Sequence, residues 1–191
     1  KISVEICCGS ADDVVQAALA GASRVELNSA MLLGGLTPSV GTLIAVQDEL
    51  QLWHDSEKNF NLPEIFTMIR PREGGFCYRD LEFKSMLEDI EKLIEHGTDG
   101  IVFGILHADG SVDQRRCLKI LRMIDPLPAV FHRAIDTVPD WRGSMDSLID
   151  LGFKRILTSG QEKSAFEGRE TIRQMREHAR GRIEILPAGG I

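Results

Sequence analysis

The stretch IEHGTDGIVF, residues 94–103, decides the fold. Ile94 to His96 close a helical pattern, Gly97 stops it, and Asp99–Phe103 ends in a short β-branched and aromatic run. A helix that finishes on glycine and feeds a strand within a few residues is an αβ step of a parallel sheet. LAGASRVEL (19–27) and IDLGFKRIL (149–157) repeat the pattern. Working outward, strands are expected at Ile2–Cys7, Arg24–Leu27, Glu64–Ile69, Asp99–Phe103, Ala129–Phe131, Arg155–Thr158 and Ile183–Leu186. Helical stretches fall near Ala11–Ala20, Val40–Leu50, Asp80–His96, Gln114–Ile124, Trp141–Leu151 and Ser164–Ala179. The longest interval, between the second and third strands, holds QLWHDSEKNFN, which reads as a polar surface insertion.

Unbroken βα alternation gives an α/β fold with parallel strands, and two features favour a TIM (β/α)8 barrel over a doubly wound sheet. No G-x-G-x-x-G follows the first strand, where a dinucleotide fold places it. Polar groups also follow nearly every strand instead of collecting at one switch point. The chain begins without Met and stops at PAGGI, a strand-to-loop sequence, so residues 1–191 are expected to be a single barrel domain whose last βα unit lies beyond Ile191.

The composition limits the partners. Lys and Arg total 22 against 29 Asp and Glu, a net charge of −7, which repels phosphate backbones and argues against nucleic acid. No apolar run reaches the roughly 18 residues that cross a bilayer, so no membrane role is expected. Cys7, Cys8, Cys77 and Cys117 form no C-x-x-C pair, and a chain of 191 residues needs no disulfide staples. Reduced thiols in a cytoplasmic protein follow from that.

Period 2 in the first two strands puts Glu5 and Cys7 on one face and Val4, Ile6 and Cys8 on the other, with Glu26 and Asn28 opposing Val25 and Leu27. The helices of a barrel cover the aliphatic side, so the acids and Cys7 are expected to face its mouth. Buried carboxylates without partners are costly, which leaves two readings: a structural ion pair, or acids that do chemistry. Arg70 in MIRPREGGF can neutralise Glu5 or Glu26, and Arg72 follows on the loop; guanidinium groups suit carboxylate or phosphate. FHRAID places His132, the natural titratable group at neutral pH, beside Arg133 and Asp136. Candidate catalytic groups are therefore Glu5, Glu26, His132 and Asp136. Candidate anion ligands are Arg70, Arg72 and Arg133, with the glycine-rich turns LTSG (Thr158, Ser159, Gly160) and PAGG (Gly189, Gly190) offering backbone N–H groups. Ser39 or Thr37 and Asp113 read as helix N-caps, and His107 reads as a solvated loop group.

Together VEICCGS, RVELNSAMLLGGLTPS, MIRPREGGFCYRD, DGIVFGIL, DGSVD, FHRAID, RILTSGQ and PAGGI closely resemble the CutC copper-homeostasis family, from Glu5 to Gly190. The resemblance implies a cytosolic TIM-barrel protein linked to copper tolerance, with Glu5 and Cys7 as its first-strand E-x-C and Glu26 as its second-strand acid. Arg70 and Arg72 match its two arginines, His132, Arg133 and Asp136 its FHRAFD motif, and Thr158 to Gly160 its LTSG. The chain departs at Asn28, where members often carry cysteine, so a copper site loses one thiolate there. Copper(I) prefers sulfur, which leaves Cys7 as first candidate ligand and Cys77 as second. Three functions stay open: a copper-binding homeostasis protein, an enzyme acting on a small anionic or phosphorylated molecule, or a barrel kept as an interaction surface with no chemistry of its own. A homo-oligomer is expected in each case.

Overall fold

The protein is described from a computed structural model, which covers residues 4–57 and 60–191. Among the described residues seven strands alternate with six α-helices: β1 Glu5–Cys8, α1 Ala11–Leu19, β2 Arg24–Leu27, α2 Val40–Ser56, β3 Glu64–Met68, α3 Asp80–Glu95, β4 Gly100–Phe103, α4 Gln114–Ile124, β5 Ala129–Phe131, α5 Trp141–Leu151, β6 Arg155–Thr158, α6 Arg169–Ala179 and β7 Glu184–Pro187. Hydrogen-bonded neighbours follow chain order from β1 to β7. The pairs β1–β2, β2–β3, β5–β6 and β6–β7 are parallel. A doubly wound sheet reverses its order at a switch point; this order does not reverse, as in a (β/α) barrel.

The chain divides into two compact units, Lys1–Gly74 with Asp80–Ile101, and Gly75–Arg79 with Val102–Ile191. In the first unit α1 buries Val14 and Ala18, α2 buries Leu43, Val46 and Leu50, and α3 buries Phe83, Met86, Ile90 and Leu93. Each set recurs at the three- and four-residue spacing that keeps one helix face apolar. Ser10 and Ser39 cap α1 and α2 by accepting the N–H of Asp13 and Thr42 at 3.2 and 3.1 Å. In the second unit α4 buries Cys117, Ile120 and Ile124 behind its cap Asp113, and α5 buries Trp141, Met145 and Leu148. Phe103, Phe131 and Phe153 form its aromatic centre, with ring centroids 5.1 and 5.4 Å apart.

Some expectations need correction. Helix α2 runs on to Ser56, so the first half of the presumed insertion is helix; Trp53 Nε1 donates to Glu49 Oε1 one turn back at 3.0 Å, a contact only helix supplies. Lys58 and Asn59, also in that stretch, lie outside the described residues, as do Ile2 and Ser3 of the first expected strand. Helix α6 starts at Arg169, because Ser164–Gly168 spends itself on a turn in which Ser164 accepts from Glu167 N and Gly168 N. On β1 the aliphatic face is covered only in part: Cys8 is buried, while Val4 and Ile6 keep 58% and 39% exposure. Among the described residues no helix is long and apolar enough to cross a membrane.

Candidate functional site

In the first unit, β1 and β2 pair with Cys7 opposite Glu26, and the ladder continues as Asn28 N donates to Cys8 O at 2.8 Å. This register places alternate residues of both strands on one face. Cys7 Sγ donates to Glu26 Oε1 at 3.7 Å, and Asn28 Nδ2 donates to the same oxygen at 2.9 Å and to Glu26 O at 3.2 Å. Glu26 and Asn28 are almost wholly enclosed, at 3% and 1% exposure. Glu26 Oε2 and Asn28 Oδ1 are buried with no hydrogen-bond partner. Burial pushes the Glu26 carboxyl up to about 7, with the charge of Glu5 adding to it and the Asn28 hydrogen bond opposing. Cys7 keeps solvent access, yet its thiol is raised well above the usual thiol range, by burial first and then by the charges of Glu26 and Glu5. Cys8 and Cys117 pack as small hydrophobes, and burial lifts them to about 11 and about 12.

Glu5 is paired within its own sheet by Arg24, the opposite residue on β2, whose guanidinium also lies over the Phe66 ring at 5.8 Å. Arg24 shares the face of Glu26 and Asn28 by the same period, a signal present in RVELN that sequence reading passed over. Arg70 ties loops together, donating to the carbonyls of Leu33, Gly35 and Gly74 at 2.9, 3.2 and 3.0 Å. Its backbone N–H is received by Thr37 Oγ1, which leaves Ser39 as the helix cap. Arg72 forks onto Glu82 at 2.7 and 3.3 Å. The expected clamp of two arginines is thus engaged on protein groups, because loop carbonyls and a first-turn glutamate of α3 come within reach once the chain folds.

In the second unit, β5 is followed directly by His132, which is buried and caps a 3-10 turn, Arg133–Thr137, by accepting the Ala134 N–H at Nδ1 from 3.2 Å. The ring stacks obliquely on Phe76 at 4.8 Å. Asp136 collects donors: Arg133 Nε at 3.0 Å, Thr158 Oγ1, Ser159 N at 2.9 Å and Gln161 N at 3.2 Å. Gly160 N turns back to Thr158 Oγ1 at 2.9 Å. The amides of Ser159, Gly160 and Gln161 therefore have acceptors within the protein. It also makes Asp136 a residue that shapes this loop, since its oxygens are filled. Arg133 reaches Ser159 Oγ with Nη2 at 2.7 Å and lays Nη1 over Gly189, where a Cβ would stand 2.7 Å away; at φ +89° that residue has to be glycine. Gly190 lies against Ser164, so close that a Cβ there would stand 2.8 Å from the Ser164 Cβ. His107 is half exposed, 3.8 Å from Asp113.

Among the described residues no three His, Cys, Asp or Glu side chains converge as a metal site, and Cys77 is exposed on the loop after β3. The donors beside Cys7 are one thiol, one carboxylate with an open oxygen, and an amide at 28 in place of sulfur. One soft donor with an acidic neighbour accommodates a soft cation but does not enclose it.

A parallel sheet whose strands follow one another in unreversed order is a (β/α)-barrel type of fold. The chain belongs to the CutC family, whose model matches residues 2–191. It is 51% identical over its whole length to a family protein CutC of Treponema denticola, spanning 73% of that protein. It is 43% and 42% identical, over 98% of its length, to the copper homeostasis protein cutC homologs of Mus musculus and Homo sapiens, and spans 65% of each. The crystal structure of CutC from Streptococcus agalactiae superposes with a TM-score of 0.88 at 36% identity, covering 100% of this chain and 89% of that one. An aldolase, QR15, at 13% identity and a TM-score of 0.67, covering 100% of this chain and 80% of that one, shares the fold alone.

Proposed function

We propose that this protein serves copper homeostasis by binding copper ion at Cys7, with Glu26 as the neighbouring acid. The carrying observation is the Cys7 Sγ–Glu26 Oε1 contact at 3.7 Å, next to a second Glu26 oxygen that is buried without a partner. A soft cation replaces the thiol proton and gives the buried carboxylate the counter-charge it lacks. The names of the mouse and human relatives support the reading. A cytoplasmic, homo-oligomeric protein with reduced thiols is part of this proposal. Copper(I) titration of reduced protein against Cys7→Ser tests it: tight binding in the native chain alone is expected, and equal, weak binding in both removes copper from the account.

One observation favours a second reading. A carboxyl that titrates at about 7 is poised for proton transfer near neutral pH, so Glu26 suits an acid–base enzyme acting on a small anionic molecule. The engagement of Arg72 by Glu82 and of the LTSG amides by Asp136 weighs against the anion half of that idea. Soaking crystals with phosphate or sulfate tests it: ordered anion at Arg133 and the Gly189–Gly190 turn supports it, and no bound anion at high concentration counts against it.

A further inference from the structure

Beyond the β1–β2 face, the chain after Asn28 turns back on itself. Ala30 adopts φ +48°, and a single 3-10 turn, Met31–Leu33, follows. Arg70 anchors that turn through the carbonyl of Leu33. The turn carries Met31 back over β1. A Cβ built on Gly9 would lie 2.7 Å from Met31 Cγ and 3.7 Å from Met31 Cβ. Gly9 stands in the bend that follows β1, two residues from Cys7. Glycine at 9 is therefore what lets the thioether stem lie against the end of β1.

We propose that Met31 is a second soft ligand for copper at Cys7, closing over the ion from the turn after β2. This rests on the reading of Cys7 as the copper site. Three independent features point to it. The thioether stem lies against Gly9, two residues from the thiol; the residue keeps 43% exposure; and the enclosed Glu26 beside Cys7 has an oxygen with no partner, a place where positive charge is favoured. Methionine has three rotatable bonds and a polarizable sulfur, so Sδ swings toward Cys7 without backbone movement. Two sulfurs, one thiolate and one thioether, suit copper(I), which hard oxygen donors alone do not hold. Asn28 Nδ2 keeps Glu26 Oε1 in place beneath them at 2.9 Å.

The experiment compares reduced native chain, Met31→Leu and Cys7→Ser, titrated anaerobically with copper(I) against a chromophoric chelator, with X-ray absorption of the loaded proteins. Met31→Leu is expected to weaken binding by more than the roughly 10–100-fold typical of an outer-shell partner, and to drop the sulfur shell from two to one. Silver(I), a redox-inert stand-in, is expected to protect Met31 from peroxide oxidation in the native chain but not in Cys7→Ser. If Met31→Leu binds as the native chain does with an unchanged sulfur shell, while Cys7→Ser loses copper, Met31 is no ligand and the copper reading survives. If Cys7→Ser binds as well as the native chain, the Cys7 site itself falls. Protection of Met31 that persists in Cys7→Ser also overturns the shared site. Leucine at an exposed position leaves the fold intact, which a thermal melt of the variant checks.

Discussion

Replacing Glu26 by Gln should stabilise this protein at high pH and leave it almost unchanged at low pH. The side chain is 3% exposed, and only one of its oxygens has partners. In the folded chain the carboxyl keeps its proton up to about 7, against 4.5 for an ordinary glutamate. Between those values the folded state holds more protons than the unfolded state, so stability is lost as pH rises through the interval. At 1.36 kcal/mol for each factor of ten, the loss above pH 7 is about 3 kcal/mol. Glutamine keeps the shape and the acceptor for Asn28 Nδ2 and never ionises. Native and variant proteins should therefore melt within a degree or two of each other near pH 4.5. At pH 8 the variant should melt higher by roughly 6–12 °C, taking about 2–4 °C per kcal/mol for a chain of this size. Scanning calorimetry of both proteins from pH 4.5 to 8.5 isolates this group, because every other titration is common to the two. A difference in melting temperature that stays flat across the range would refute the reasoning, and with it the claim that Glu26 is an uncompensated buried acid.

Two further outcomes follow from the same structure. Asp136→Asn turns one of the two oxygens that accept from Arg133, Thr158, Ser159 and Gln161 into an N–H donor, setting donor against donor; a loss of roughly 1–3 kcal/mol is expected, with faster proteolysis and amide exchange across residues 159–168, and unchanged exchange there would contradict the role given to Asp136. With iodoacetamide at pH 8, Cys77 should alkylate fastest, Cys7 slowly because its raised pKa keeps the thiol protonated, and Cys8 and Cys117 only on unfolding. Peptide mass spectrometry gives the order, and Cys7 labelling as quickly as Cys77 would show that the neighbouring acids do not suppress its thiolate.

The element order was legible in the chain because helix-ending glycines and short Val/Ile runs are local signals. The expected strands at Arg24–Leu27, Ala129–Phe131 and Arg155–Thr158 and the helices at Gln114–Ile124 and Trp141–Leu151 coincide with β2, β5, β6, α4 and α5. Alternation likewise told Cys7 from Cys8, since a strand's period of 2 is a property of its backbone and not of its surroundings. Partner choice was another matter. Glu5 takes Arg24, Arg72 takes Glu82, and Asp136 takes the amides of the β6 loop. Each pairing depends on a distance between segments that sequence spacing does not measure. The reach of Met31 over Gly9 is of the same kind: a left-handed Ala30 and the anchoring of Leu33 by Arg70 set its direction. What the sequence determines here is which chemical groups stand on which face of which strand, because backbone geometry repeats locally. Which of those groups neutralise one another, and which acid is left buried without a counter-ion, is decided only when folding brings distant loops within hydrogen-bond range and excludes water from between them.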